Sequence, residues 1–151
     1  MMHEMDSDRE LHLFDTFTGF SDNDLNEEVK RDEKYNISNF SDTSLEKVKN
    51  FIDDNEHVHF HAGYFPESAK DLEEKKYAFV HLDADLYLPT LAGLQYFYPK
   101  LSKGVVIIIH DYNHTWDGVR KAVDEFSETI NESFLPIADW QGSVLLVKNR
   151  G

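Results

Sequence analysis

The chain has 151 residues, no cysteine, 40% apolar residues and a net charge of −14 from 15 basic and 29 acidic side chains. That length suits one ordinary domain with one core. The lack of thiols excludes a disulfide scaffold and every thiolate metal site, and the acid excess argues against nucleic acid and anionic membrane surfaces as partners.

Residues 1–10 open on an acidic stretch unlike a signal peptide and are expected to be a disordered or non-native start. With no apolar run near the ~20 residues of a membrane span, the sequence reads as soluble and cytoplasmic. Leu11–Asp15 reads as a strand. Residues 1–56 hold 16 acids and 6 bases, and Ser21 to Glu33 has too few apolar side chains to offset its ordering entropy, so a mobile lid or surface excursion is expected there. Thr43 and Glu46 form a capping box ahead of Leu45, Val48 and Ile52, which share a helical face. The next strand, Val58–His61, carries His57, His59 and His61 at alternate positions, hence on one face. That ladder is either a polar strand face, the favoured reading, or a metal-binding row. Glu67 to Lys76 is a weak helical candidate. Ala78–Asp83, Val105–Ile109 and Ser143–Val147 are further strands. Two helical stripes lie between them, Leu91, Leu94, Tyr98 and Leu101, then Val119, Ala122, Val123, Phe126 and Ile130. Strict alternation of strand and helix predicts an open α/β fold, a mostly parallel sheet with helices on both faces. Ligands in such folds bind where the strands stop.

The strands stop on Asp15, on Gly63, on Asp83 with Asp85 nearby, and on His110-Asp111. Asp83, His110 and Asp111 could converge on a divalent cation, because carboxylates suit a hard ion and an imidazole shifts preference towards Mn, Fe, Co, Ni or Zn. Each acid alone could simply cap a turn. Two acids on adjacent strand ends, however, repel one another without a cation between them. Asp15 is either an acceptor for ribose hydroxyls or the head of an Asx-turn with Thr16 or Thr18. His114 and Trp116 line an acceptor pocket or form surface loop, and Tyr96-Phe97-Tyr98 reads as core. No glycine-rich phosphate loop is present, and the lack of a G-x-S-x-G elbow or cysteine nucleophile disfavours a serine or cysteine hydrolase.

Seven stretches in order carry a resemblance over almost the whole chain: Leu-Phe-Asp-Thr-Phe-Thr-Gly-Phe (13–20), Phe-Ser-Asp-Thr-Ser-Leu-Glu-Lys-Val (40–48), Gly-Tyr-Phe-Pro-Glu-Ser (63–68), Val-His-Leu-Asp-Ala-Asp-Leu-Tyr-Leu-Pro-Thr-Leu (80–91), Tyr-Pro-Lys-Leu-Ser-Lys-Gly (98–104), His-Asp-Tyr-Asn (110–113) and Leu-Pro-Ile-Ala-Asp-Trp-Gln-Gly-Ser (135–143). Together they resemble the macrocin O-methyltransferase (TylF/MycF-type) family of class I S-adenosylmethionine-dependent enzymes. The resemblance implies a Rossmann-like fold and a small-molecule hydroxyl acceptor of sugar or natural-product type. It implies that Asp15, beside Thr16 and Phe17, meets the cofactor ribose, while Gly63, Tyr64 and Phe65 lie against the adenine. It further implies that Asp83, His110 and Asp111 hold the metal, usually magnesium, and that Asp83, or more weakly His81 or His114, takes the acceptor's proton.

The sequence departs from that family twice. The usual Asp-Asp of the last metal motif is His110-Asp111, which opens the choice to manganese or other ions. The family's earlier strand and glycine loop also have no counterpart in residues 1–10, which contain no glycine. The expectation is therefore a single partial domain over 1–151, inactive or self-associating as a homo-oligomer through an exposed sheet edge. Three other readings stand beside it: a D-x-D glycosyltransferase-like enzyme, from Val-His-Leu-Asp-Ala-Asp, a haloacid-dehalogenase-like phosphatase, from the resemblance of Phe-Asp-Thr-Phe-Thr-Gly (14–19) to its nucleophile motif, and a non-catalytic methyltransferase-fold module.

Overall fold

The structure, a computed structural model, describes residues 8–29, 40–52, 56–72, 75–114 and 117–149. The chain divides into two compact units, Met1–Ser21 with Asn36–Asp71 and Asp22–Tyr35 with Leu72–Gly151.

In the first unit, β1 (Leu11–Asp15) and β2 (Val58–Ala62) pair in parallel, with Leu11 opposite Val58 and Asp15 opposite Ala62. Helix α1 belongs to the other unit, so the connection between these strands here is α2 (Leu45–Phe51). Its N-cap is Ser44, not Thr43. The backbone at Ser44 is extended, and its hydroxyl accepts a hydrogen bond from Lys47 N at 3.2 Å. The expected capping box is therefore not formed, since Lys47 and not an acid stands three residues after the Ser44 cap, and Ile52 lies past the helix as its C-cap. Glu67 to Lys76 forms one 3-10 turn, Glu67–Ala69, and the chain is extended again from Tyr77; positions 73–74 lie outside the described residues.

The second unit holds a four-stranded sheet in the order β3-β4-β6-β5. Here β3 (Tyr77–Leu82) and β4 (Leu101–Ile109) are parallel, whereas β6 (Val144–Val147) runs antiparallel to β4 and the short β5 (Phe134–Pro136) antiparallel to β6. The fold is α/β as expected, with a parallel front and an antiparallel tail that strict alternation does not reveal. Val80, Leu82, Ile107, Ile109, Val144 and Leu146 share one face and are buried. On the other face Phe79 is 54% exposed and Val147 40%.

Helices α3 (Tyr87–Phe97) and α4 (Asp117–Ser127) pack against each other. The α4 stripe is as the periodicity predicts, with Val119, Ala122, Val123 and Phe126 buried, although Ile130 lies beyond its end. In α3 the buried positions are Thr90, Gly93, Leu94 and Phe97, so the predicted stripe is rotated and Leu101 belongs to β4. Phe97 confirms the core reading of the aromatic trio, while Tyr96 and Tyr98 are half-buried. The predicted lid is largely helix: α1 (Asp22–Val29) packs on α3 and buries Asp24 and Leu25. Tertiary packing overrides its polar composition, and Asp22 and Asp24 in the first turn favour the helix dipole. Positions 30–33 of that stretch lie outside the described residues. No helix among the described residues is long and apolar enough to cross a membrane.

Candidate functional site

In the second unit the parallel pairing of β3 and β4 puts Leu82 opposite Ile109, so the residues after both strands emerge at the same sheet edge. The link is tightened by a hydrogen bond from His110 N to Leu82 O at 2.9 Å. As a result Asp83, His110 and Asp111 each offer a ligand atom, all within 4.8 Å of one another. His110 Nδ1 lies 3.0 Å from Asp83 Oδ1 and 3.0 Å from Asp111 Oδ2. The repulsion expected between these two acids is thus eased in part by the imidazole placed between them. Burial pulls the His110 pKa down, but the hydrogen bond to Asp111 and the charges of Asp83, Asp111 and Asp139 outweigh it and raise the pKa overall.

Asp111 is 4% exposed and its Oδ1 has no hydrogen-bond partner. An acceptor buried in that state costs about 1–3 kcal/mol, which a cation would relieve. Asp85 and Asp111 both sit in the left-handed region, at φ 57° and 59°, a conformation aspartate tolerates better than most residues. Burial, the charge of Asp83, and the hydrogen bond and charge of Asp111 push the Asp85 carboxyl up to about 7, against the opposing pull of His110.

The other predicted residues fall around this cluster. His114 Nδ1 is 3.9 Å from Asp111 Oδ1, too far for a hydrogen bond, and its backbone N–H bonds to Asp111 O at 3.2 Å. His81 is exposed on β3, its ring edge-on to His110 with centroids 5.9 Å apart. Trp116 lies outside the described residues. Two acids of the surroundings carry no assignment from sequence. Asp85 has a local signal, its i+2 spacing from Asp83. Asp139 has none, since it arrives on the turn before β6, where its Oδ1 accepts a hydrogen bond from Ser143 N at 2.9 Å. Bonding to Ser143 chiefly, and His110 in smaller part, lowers its pKa.

The first unit presents its own strand ends. Asp15 Oδ1 accepts a hydrogen bond from Phe17 N at 2.6 Å. This is an Asx-turn, closed on Phe17 in place of Thr16 or Thr18, and it leaves Oδ2 of an exposed carboxylate as a second acceptor. Thr16 Oγ1 donates to Gly19 O. Phe17 holds φ 57° and its side chain is buried at 6% exposure, so its contribution at this edge is its backbone. Gly63 N bonds to Asp15 O at 2.9 Å, joining the two strand ends, and Gly63 adopts φ 134°, open to glycine alone without strain. Tyr64 and Phe65 are half-buried, with Phe65 edge-on to Phe14 at 5.6 Å. An acceptor carboxylate, a side-chain-free glycine and two aromatic rings fit a nucleoside with a diol.

A family model described as macrocin-O-methyltransferase (TylF) matches residues 1–144. No curated relative matches by sequence. Among solved structures, the O-methyltransferase NovP is 24% identical with a TM-score of 0.78, the match covering 99% of this chain and 64% of NovP. The calicheamicin methyltransferase CalS11 is 21% identical at a TM-score of 0.65, over 92% of this chain and 60% of CalS11. An O-methyltransferase from Bacillus cereus, in complex with SAH, is 16% identical at a TM-score of 0.51, over 94% of this chain and 64% of that one. The chain thus spans less than two thirds of the length of each.

Proposed function

The chain belongs to the macrocin-O-methyltransferase (TylF) family, and on that premise we propose that it methylates a hydroxyl of a small molecule, using S-adenosylmethionine and a divalent cation. The observation that carries the reading is the convergence of Asp83, His110 and Asp111, with a buried Asp111 oxygen left without a partner. Two carboxylates and an imidazole fit a hard or borderline divalent ion, magnesium or manganese first.

When bound, such an ion supplies positive charge that lowers the acceptor hydroxyl's pKa and holds its oxygen in line for displacement. The chain's own residues do the rest. Asp111, buried and fixed at the end of β4, anchors the site. Asp83 is half-exposed, with 45% of its side chain accessible, and so can also meet the acceptor and take its proton. S-adenosylmethionine would supply the electrophilic methyl group for that oxygen and leave as S-adenosylhomocysteine. Asp15 Oδ2 would accept from the ribose, and Gly63 with Tyr64 and Phe65 would receive the adenine. An acceptor of sugar or natural-product type, as in the calicheamicin enzyme's name, is the class to try first.

The test is transfer of a labelled methyl group from S-adenosylmethionine to a panel of vicinal diols with magnesium or manganese present. The reading predicts transfer that chelation abolishes and that Asp83→Asn lowers by about 10²–10⁴-fold. Transfer indifferent to both, or none to any acceptor, contradicts it.

A further inference from the structure

We propose that the first unit carries a second metal site, in which Glu10, His12 and His59 ligate a borderline divalent ion of the Zn(II) type. The register of β1 and β2 places His12 directly opposite His59, and Glu10 lies two residues before His12, immediately ahead of β1. Three donor atoms, one from each residue, lie within 4.8 Å of one another. His12 Nε2 is 3.4 Å from Glu10 Oε2, and His59 Nε2 is 3.3 Å from Glu10 Oε1. Donors on arms of about 2.0–2.2 Å can stand up to about 4.4 Å apart around one ion, and both separations, each to a different Glu10 oxygen, fall inside that span.

Two further observations favour a ligand over a merely polar face. His59 Nε2 is buried and makes no hydrogen bond in spite of its closeness to Glu10, an arrangement that coordination would satisfy. His12, whose side chain is 8% exposed, also has a partner on its other ring nitrogen, with Nδ1 2.9 Å from His61 Nε2. With Nε2 on a metal, Nδ1 carries the proton and donates it to His61, the outer contact that fixes tautomer and ring plane in metal-bound histidines. The rings are already aligned, since His12 stacks on His59 at 4.8 Å and on His61 at 5.1 Å. Two imidazoles and one carboxylate suit zinc, cobalt or nickel better than magnesium, and three protein ligands leave a fourth position open. The donor set is softer than that of Asp83, His110 and Asp111, so the two sites differ in metal preference.

Zn(II) titration of the whole chain, followed by calorimetry and by long-range proton–nitrogen spectra of the imidazoles, tests this. The expected result is a shift of His12 and His59 Nε2 on adding Zn(II). Glu10→Gln and His59→Ala should each weaken that step by at least about tenfold, and His61→Ala by about 10–100-fold. Asp83→Asn should leave it unchanged. All three first-unit variants alter surface or half-buried side chains, and circular dichroism verifies that they fold. Zn(II) that fails to bind, that shifts only His110 and His114, or whose affinity neither Glu10→Gln nor His59→Ala changes, overturns the proposal.

Discussion

His110 stands between two carboxylates, its Nδ1 3.0 Å from Asp83 Oδ1 and 3.0 Å from Asp111 Oδ2, and these neighbours raise its pKa. His110→Asp should therefore move metal preference towards magnesium while destabilising the metal-free chain by about 1–3 kcal/mol, because four carboxylates would then share one edge. Calorimetric titration with Mg(II) and Mn(II), alongside thermal unfolding in a chelator, checks both halves. The residues of this cluster were legible because ligand-capable groups stood where apolar strands stopped. Asp139 was not, since its approach depends on the turn before β6. The Asx-turn at Asp15 was foreseen in kind, but which amide closes it depends on the left-handed backbone at Phe17.

At the scale of elements, the edge is built by connections as much as by strands. Gly142 stands at φ 62°, and a Cβ there would meet Asn113 Cβ at 2.6 Å and its Cα at 3.2 Å. The close approach lets Asn113 N bond to Gly142 O at 3.0 Å, holding the segment after β4 against the one before β6. Gly142→Ala is expected to cost about 1–3 kcal/mol in urea unfolding and to weaken metal binding at Asp83, since the loop must move. A second tie joins the turn after α3 to the tail. Tyr98 donates to Glu132 Oε2 at 2.6 Å, and Glu132 Oε1 accepts from Asn149 N at 3.1 Å. Burial and Glu132 push the Tyr98 phenol up to about 12, and the bond from Tyr98 lowers the Glu132 pKa below its ordinary 4.5. The depressed acid contributes stability above pH 4.5 that is lost as pH falls through its folded value. The raised phenol contributes stability below pH 10 that is lost as pH rises towards 12. Tyr98→Phe should therefore lower stability between those limits by about 0.5–1 kcal/mol, the exposed partner limiting the gain, and should converge on wild type at both extremes. Strands were easier to read than helix limits. Apolar runs such as Val105–Ile109 signal burial directly, whereas α1 depends on packing against α3 and the α2 cap on one residue's backbone angle.

Across the described residues, the largest wholly buried side chains lie in the second unit, among them Ile107, Ile109 and Leu146 on the shared face of β4 and β6, Leu94 in α3 with Leu86 as its N-cap, and Val119 and Val123 in α4. Leu146→Ala, at the centre of that face, should cost about 2–5 kcal/mol in equilibrium unfolding. Fold class and family were legible from the order of motifs, while the antiparallel tail was hidden because β5 is only three residues long. Manganese binding followed by electron paramagnetic resonance checks the proposed metal centre of Asp83, His110 and Asp111: one ion should bind at this edge, with affinity falling at least about tenfold in both Asp83→Asn and Asp111→Asn. Manganese that does not bind, or binds equally well in both variants, would contradict it.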